Sequence, residues 1–282
     1  MANGTHTLYV ITLIIFGALG LPTLFILWRH GRHGILGWFY LQLLCLITVI
    51  GAIVELKAIA NNTTKSTGVV IINSVGLSPL LLAALGIMHE ARRARNKDLR
   101  KKLEWFLVIS MHILVSLGLI VMIIGIVKVE DKKEAPNTSH VIKFGLLVVF
   151  ICWLTLCAWA LWSLKGHPRT DPMFYANGTA LLKGVLISLP FIGMRLIYGI
   201  LSFVLKSQSF ANSLGWRIFL DVIPSAVVVT VLVIVGFITR NMWRERAPEN
   251  KIEAYVQQTY PQQTQRQKPY APGEYPTQGQ AF

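Results

Sequence analysis

Charge is what this chain has least of. Asp, Glu, Lys and Arg make up 14% of its 282 residues, against about 25% in a soluble domain. Hydrophobic residues make up 54%. A single water-soluble core is excluded, and a polytopic membrane protein is expected. Acidic residues are scarcest: 13, against 27 Lys and Arg, for a net charge of +14. In a soluble protein that balance would point to nucleic acid. Here the basic residues sit in short loops, where they fix topology, so no nucleic-acid partner is expected.

Cysteine is nearly absent as well. Cys45, Cys152 and Cys157 all lie inside apolar runs, which excludes a disulfide framework. Cys and His show no zinc-type spacing, so no metal site is expected. HExxH, G-x-S-x-G and phosphate-binding Gly loops are missing, so no enzyme activity, catalytic residue or cofactor is expected. The last apolar run has no lysine, which argues against a retinal Schiff base. The Asp-Arg-Tyr and Asn-Pro-x-x-Tyr motifs of the largest receptor class are missing too. Met1–Thr7 has no Lys or Arg and no small-x-small cleavage site follows, so the first run reads as a retained span.

Seven apolar segments are present: Leu8–Trp28, Ile35–Lys57, Thr67–His89, Leu103–Val127, Val141–Leu164, Leu181–Val204 and Arg217–Thr239. Each is long enough to cross a bilayer as a helix, at about 20 residues per crossing. Trp38 and Tyr40 read as interfacial-belt residues. Ser78-Pro79 and Pro224 predict bends in spans three and seven. Lys165–Thr179 reads as a loop. Residues 241–282, rich in Gln, Pro, Tyr and Thr, read as a disordered tail beyond a transmembrane domain at 1–240.

Orientation follows from loop charge. With the N-terminus outside, inner segments hold 15 Lys and Arg and outer ones 8, which predicts a cytosolic C-terminus. Asn3, Asn61, Asn62 and Asn137 then head outward-facing glycosylation sequons. The site is a multi-pass protein of the plasma membrane or an endomembrane.

The sixth span carries the sharpest signal, Pro190 and Arg195 within an apolar run. A buried guanidinium costs a few kcal/mol on insertion scales, so it needs a partner. Pro190 leaves the Leu186 carbonyl without its usual donor, for a neighbour to satisfy. By depth, Arg195, Tyr198, Asp221, Glu55, Asn73 and Ser74 share the outer half of the bilayer. Arg195 with Asp221 or Glu55 is the natural ion pair. Such a cluster either ties helices together or lines an outward pocket for a small amphipathic or anionic ligand. His112 reads as a hydrogen-bonded core histidine, and His89 and Glu90 as boundary residues. The basic loop Arg92, Arg93, Arg95, Lys97, Arg100, Lys101 and Lys102 either sets topology or meets membrane lipids or a cytosolic partner.

Short motifs carry a resemblance. Gly20-Leu21-Pro22, Gly51-Ala52-Ile53-Val54-Glu55, Leu77-Ser78-Pro79-Leu80-Leu81, Leu189-Pro190 and Arg195-Leu196-Ile197-Tyr198 resemble uncharacterised seven-span membrane proteins of filamentous fungi, a domain-of-unknown-function group. The layout is also similar to fungal lipid-translocating exporters. The resemblance implies a fungal membrane protein, and the first expectation is a transporter-like or lipid-handling protein in which Arg195 engages an anionic group. The alternative is a receptor-like sensor signalling through the basic loop and tail. Either way, the expected fold is an all-α bundle of seven transmembrane helices.

Overall fold

The computed structural model describes residues 2–61, 76–96, 101–130, 138–165, 172–204 and 213–242. Among them every regular element is helical. A continuous helical run, Ala2–Ala60, breaks at Gly31, where φ is 56° and ψ is −144°. That backbone region is open to glycine and costly for a residue with a Cβ. The break separates α1 (Gly4–Gly31) from α2 (Gly34–Ala60). These two fold back on each other, so that a Cβ on Gly20 would lie 3.8 Å from the Cys45 Cβ. Then follow α3 (Leu77–Arg95), α4 (Lys101–Glu130), α5 (Thr138–Ser163) and α6 (Pro172–Val204). The last helix, α7 (Leu214–Thr239), contains a π turn at Ile218–Val222. All seven belong to a unit spanning Met1–Arg240. The expected disordered tail lies almost wholly outside the described residues.

Six of these helices are long and apolar enough to cross a membrane. The seventh, α3, is the hub. Of its 19 residues, 17 are buried, because the helical run Ala2–Ala60 and α4, α5 and α6 all pack on it. Small residues allow this. A Cβ on Gly86 would lie 2.4 Å from the Gly37 backbone nitrogen, so α2 and α3 touch backbone to backbone. By contrast α4 and α5 pack chiefly on each other. Ile109, Ile113, Leu117 and Ile120 of α4 stay exposed, as a lipid-facing stripe should.

Several boundaries differ from expectation. Helix α6 starts at Pro172, inside the segment read as a loop. Proline is favoured at the first position of a helix, where its missing N–H would have no partner anyway. Pro79 lies in the first turn of α3 for the same reason and does not bend it. Helix α3 runs on through Arg95, so half of the expected basic loop is helix. Trp38 is fully buried; the exposed tryptophans among the described residues are Trp28, Trp105, Trp162 and Trp216, which suit the interfacial belts.

Candidate functional site

Two polar centres lie at opposite ends of the bundle. Tyr9 belongs to the first and His30 to the second, 21 residues apart on α1. At 1.5 Å per residue that is about 31 Å, close to the thickness of a hydrocarbon core.

The first centre is a cleft among α1, α2, α3, α6 and α7. Its empty space is about 510 Å³, counted out to the open mouth. On α6, Arg195 sends Nε to the Asp221 carboxylate at 3.1 Å and Nη1 to the Ser225 hydroxyl at 2.7 Å. Ser225 in turn donates to the Asp221 carbonyl. The π turn on α7 ends beside this group, and such turns gather at functional sites. Gly76 gives the guanidinium its room: a Cβ there would lie 2.5 Å from Arg195 Nη2.

A second guanidinium faces the same space. Arg217 donates to the Tyr9 hydroxyl at 2.6 Å, with its Cζ 4.9 Å from the centre of the Tyr9 ring. Glu55, only 3% exposed, faces Tyr9 and Arg217. Its Oε1 accepts no hydrogen bond among the described residues. Tyr198 is half-buried and feels both Asp221 and Arg217. The lining therefore carries Arg195, Arg217 and Asp221 against walls of Leu8, Phe16, Ala52 and Val222, with Glu55 standing behind Tyr9 and Arg217.

Of the expected residues, Arg195 and Asp221 meet directly. Glu55 stands with Arg217 and not with Arg195. Asn73 and Ser74 lie outside the described residues. Sequence reasoning passed over Tyr9, Ser225 and Arg217. The signal for Arg217 was its spacing: four residues before Asp221, it shares that residue's helix face.

The turn around Pro190 is met from α5. Trp153 Nε1 donates to the Leu189 carbonyl at 3.0 Å, three residues beyond the Leu186 carbonyl expected to need a donor. Gly193 leaves space for the indole, since a Cβ there would come within 2.6 Å of it.

The second centre is closed. His30 Nδ1 lies 2.8 Å from Glu90 Oε1, and both side chains are fully buried. Trp38 Nε1 donates to Glu90 Oε2 at 3.0 Å, and His30 Nε2 lies 3.2 Å from the Gly236 carbonyl. Glu90 is thus a core residue, not a helix boundary. Nearby, Arg92 pairs with Glu104 and lies over the Trp159 ring. His89, also buried, sits 3.8 Å from Glu104. Arg95 is buried and donates to the Ser163 and Leu164 carbonyls and the Tyr175 hydroxyl.

Two arginines of the expected basic loop are therefore internal cross-links. Arg93 is half-buried and Lys102 exposed, and Lys101 opens α4. Lys97 and Arg100 lie outside the described residues. His112 donates Nδ1–H to the Val108 carbonyl at 2.8 Å, its ring 5.5 Å from Tyr40. Asn61 is exposed at the end of α2, and Asn3 lies in the first turns of α1's helical run. Asn62 and Asn137 lie outside the described residues. Among the described residues no group of three or more His, Cys, Asp and Glu gathers as a metal site would require.

A family model described as "Domain of unknown function (DUF7702)" matches residues 3–242. No curated protein matches the chain. Among solved structures, the crystal structure of Exiguobacterium sibiricum rhodopsin has a similar fold. Its TM-score is 0.53 at 11% identity, covering 88% of this chain and 100% of that one. At that identity the likeness speaks for the seven-helix membrane fold alone.

Proposed function

This chain belongs to the DUF7702 family, whose description names no activity, and from its geometry we propose a receptor-like membrane protein that binds a small amphipathic ligand with an anionic head. The observation that carries the reading is the cleft: an open space lined by two guanidiniums against one carboxylate, with apolar walls. A carboxylate or phosphate head meets Arg217 and Arg195, and its apolar part lies along Leu8, Phe16 and Val222. The cleft opens outward, as the loop charges favour.

The sensor reading is preferred over transport because the interior beyond the cleft is filled. Phe16, Leu44, Leu80, Leu85 and Trp38 are each under 2% exposed. A transporter-like, lipid-handling role is the second reading. It is favoured by the π turn in α7 beside the cleft, since transporters build sites at irregular helices. Signals to a cytosolic partner would leave through Arg93, Lys102 and the tail.

The test is direct titration of the purified protein with a fluorescent long-chain fatty acid. Saturable binding that weakens at least about tenfold in Arg217→Gln, with the melting temperature retained, supports the reading. Equal binding by wild type and variant overturns it. Flux of the same probe across reconstituted vesicles would favour the second reading.

A further inference from the structure

The His30 centre has no part in the cleft, yet it is the most completely buried ionisable group of the bundle. Its hydrogen bonds fix a proton count. A carbonyl only accepts, so His30 Nε2, 3.2 Å from the Gly236 carbonyl, carries a hydrogen. Trp38 Nε1 only donates, so Glu90 Oε2 accepts. That leaves His30 Nδ1 and Glu90 Oε1 facing each other at 2.8 Å. Two lone pairs at that distance repel, and two hydrogens collide. One proton, and one only, must lie between them, on the imidazole or on the carboxyl.

The surroundings are built to hold that arrangement. A Cβ on Gly34 would lie 2.7 Å from Glu90 Oε2 and 2.7 Å from Trp38. One on Gly236 would lie 2.5 Å from the Trp38 ring. Glycine at both positions lets the carboxylate, indole and imidazole close on one another. The His30 and Trp38 rings also pack at 4.8 Å. Four helices supply the parts: α1 His30, α2 Trp38, α3 Glu90 and α7 the Gly236 carbonyl.

We infer that His30 and Glu90 form a dedicated single-proton binding site, a buried pair that takes up one shared proton as α1, α2, α3 and α7 close around it. Among the described residues, other ionisable groups at this end have partners of their own. His89 and Arg92 of α3 turn to Glu104 of α4, Arg95 turns to α5 and α6, and Arg29 of α1 lies over Phe25. From α2 the pair meets Trp38, and from α7 a backbone carbonyl. Glu90 keeps a further contact besides these.

The count dictates a test with opposite signs for two variants. Unfolded, a carboxyl releases its proton near pH 4.3 and an imidazole near pH 6.5, roughly. Between those values the unfolded wild-type pair also holds one proton, so this pair leaves stability flat with pH. Above about pH 6.5 the unfolded pair holds none and stability falls with rising pH. In Glu90→Gln the amide N–H replaces the shared proton and keeps both hydrogen bonds, with His30 neutral. Its deficit relative to wild type therefore shrinks as pH rises, by up to about tenfold in the folding equilibrium per pH unit. For His30→Ala the count predicts one proton kept by the site on folding. Its deficit grows between about pH 4.3 and pH 6.5 and then levels.

The experiment is reversible unfolding of the full-length chain in detergent from about pH 5 to about pH 8. A Glu90→Gln deficit that shrinks across this range supports the single-proton site, and a growing His30→Ala deficit adds to it. A pH-independent Glu90→Gln deficit overturns it and leaves only packing. If His30→Ala does not accumulate, the Glu90→Gln slope alone decides.

Discussion

The two ends of the bundle use the same materials to opposite effect. At each, a basic side chain meets a carboxylate across helices. At the His30 end both partners are fully buried, and glycines bring backbone and rings into contact. At the Arg195 end the pair keeps partial exposure, 9% for Arg195 and 18% for Asp221, beside open space. The first arrangement has no room for a guest, so its charges serve to hold helices. The second leaves polar groups where a ligand can reach them. Ionisable residues in a membrane thus divide by what surrounds them, not by what they are.

The contrast can be broken or sharpened by substitution. The largest effect is expected at the closed end. Gly86→Leu would drive a side chain into the Gly37 backbone and should cost more than about 3 kcal/mol, seen as loss of folded protein in detergent. Retention of a native melting temperature would mean the α2–α3 contact is not tight. Asp221→Asn at the open end should cost less, about 1–3 kcal/mol, because the pair is partly wet. A cost equal to that at the closed end would erase the distinction. Thr48→Val should be nearly silent, under about 0.5 kcal/mol in a thermal melt. The Thr48 hydroxyl bonds only its own helix, at the Leu44 carbonyl, although the residue lines the cleft.

Sequence made the open end legible and the closed end nearly invisible. Arg195 and Asp221 stand out because each interrupts an apolar run, where a charge demands a partner. Glu90 lies where an apolar run gives way to RRAR, so it reads as the edge of the membrane. Its burial comes from neighbours: α3 is wrapped by other helices and needs no lipid-facing surface to stay helical. His30, between Arg29 and Arg32, carries no sign of burial in the sequence, and Trp38 reads as a belt residue. Only the antiparallel pairing of α2 with α3 brings them to Glu90, sixty and fifty-two residues away in sequence. The start of α6 was misread because Pro172 and Gly178 look like loop residues. In place, proline opens the helix, and Gly178 lets α6 approach Ala91 and Ala94 of α3.

The break at Gly31 bears on how the protein is made. It joins α1 and α2 with almost no intervening chain. A segment entering hydrocarbon must satisfy its own backbone, so each arm arrives as helix. A connection this short gives the first arm its partner as soon as the second has been made, so the front of the chain is one helical hairpin turned on a single glycine.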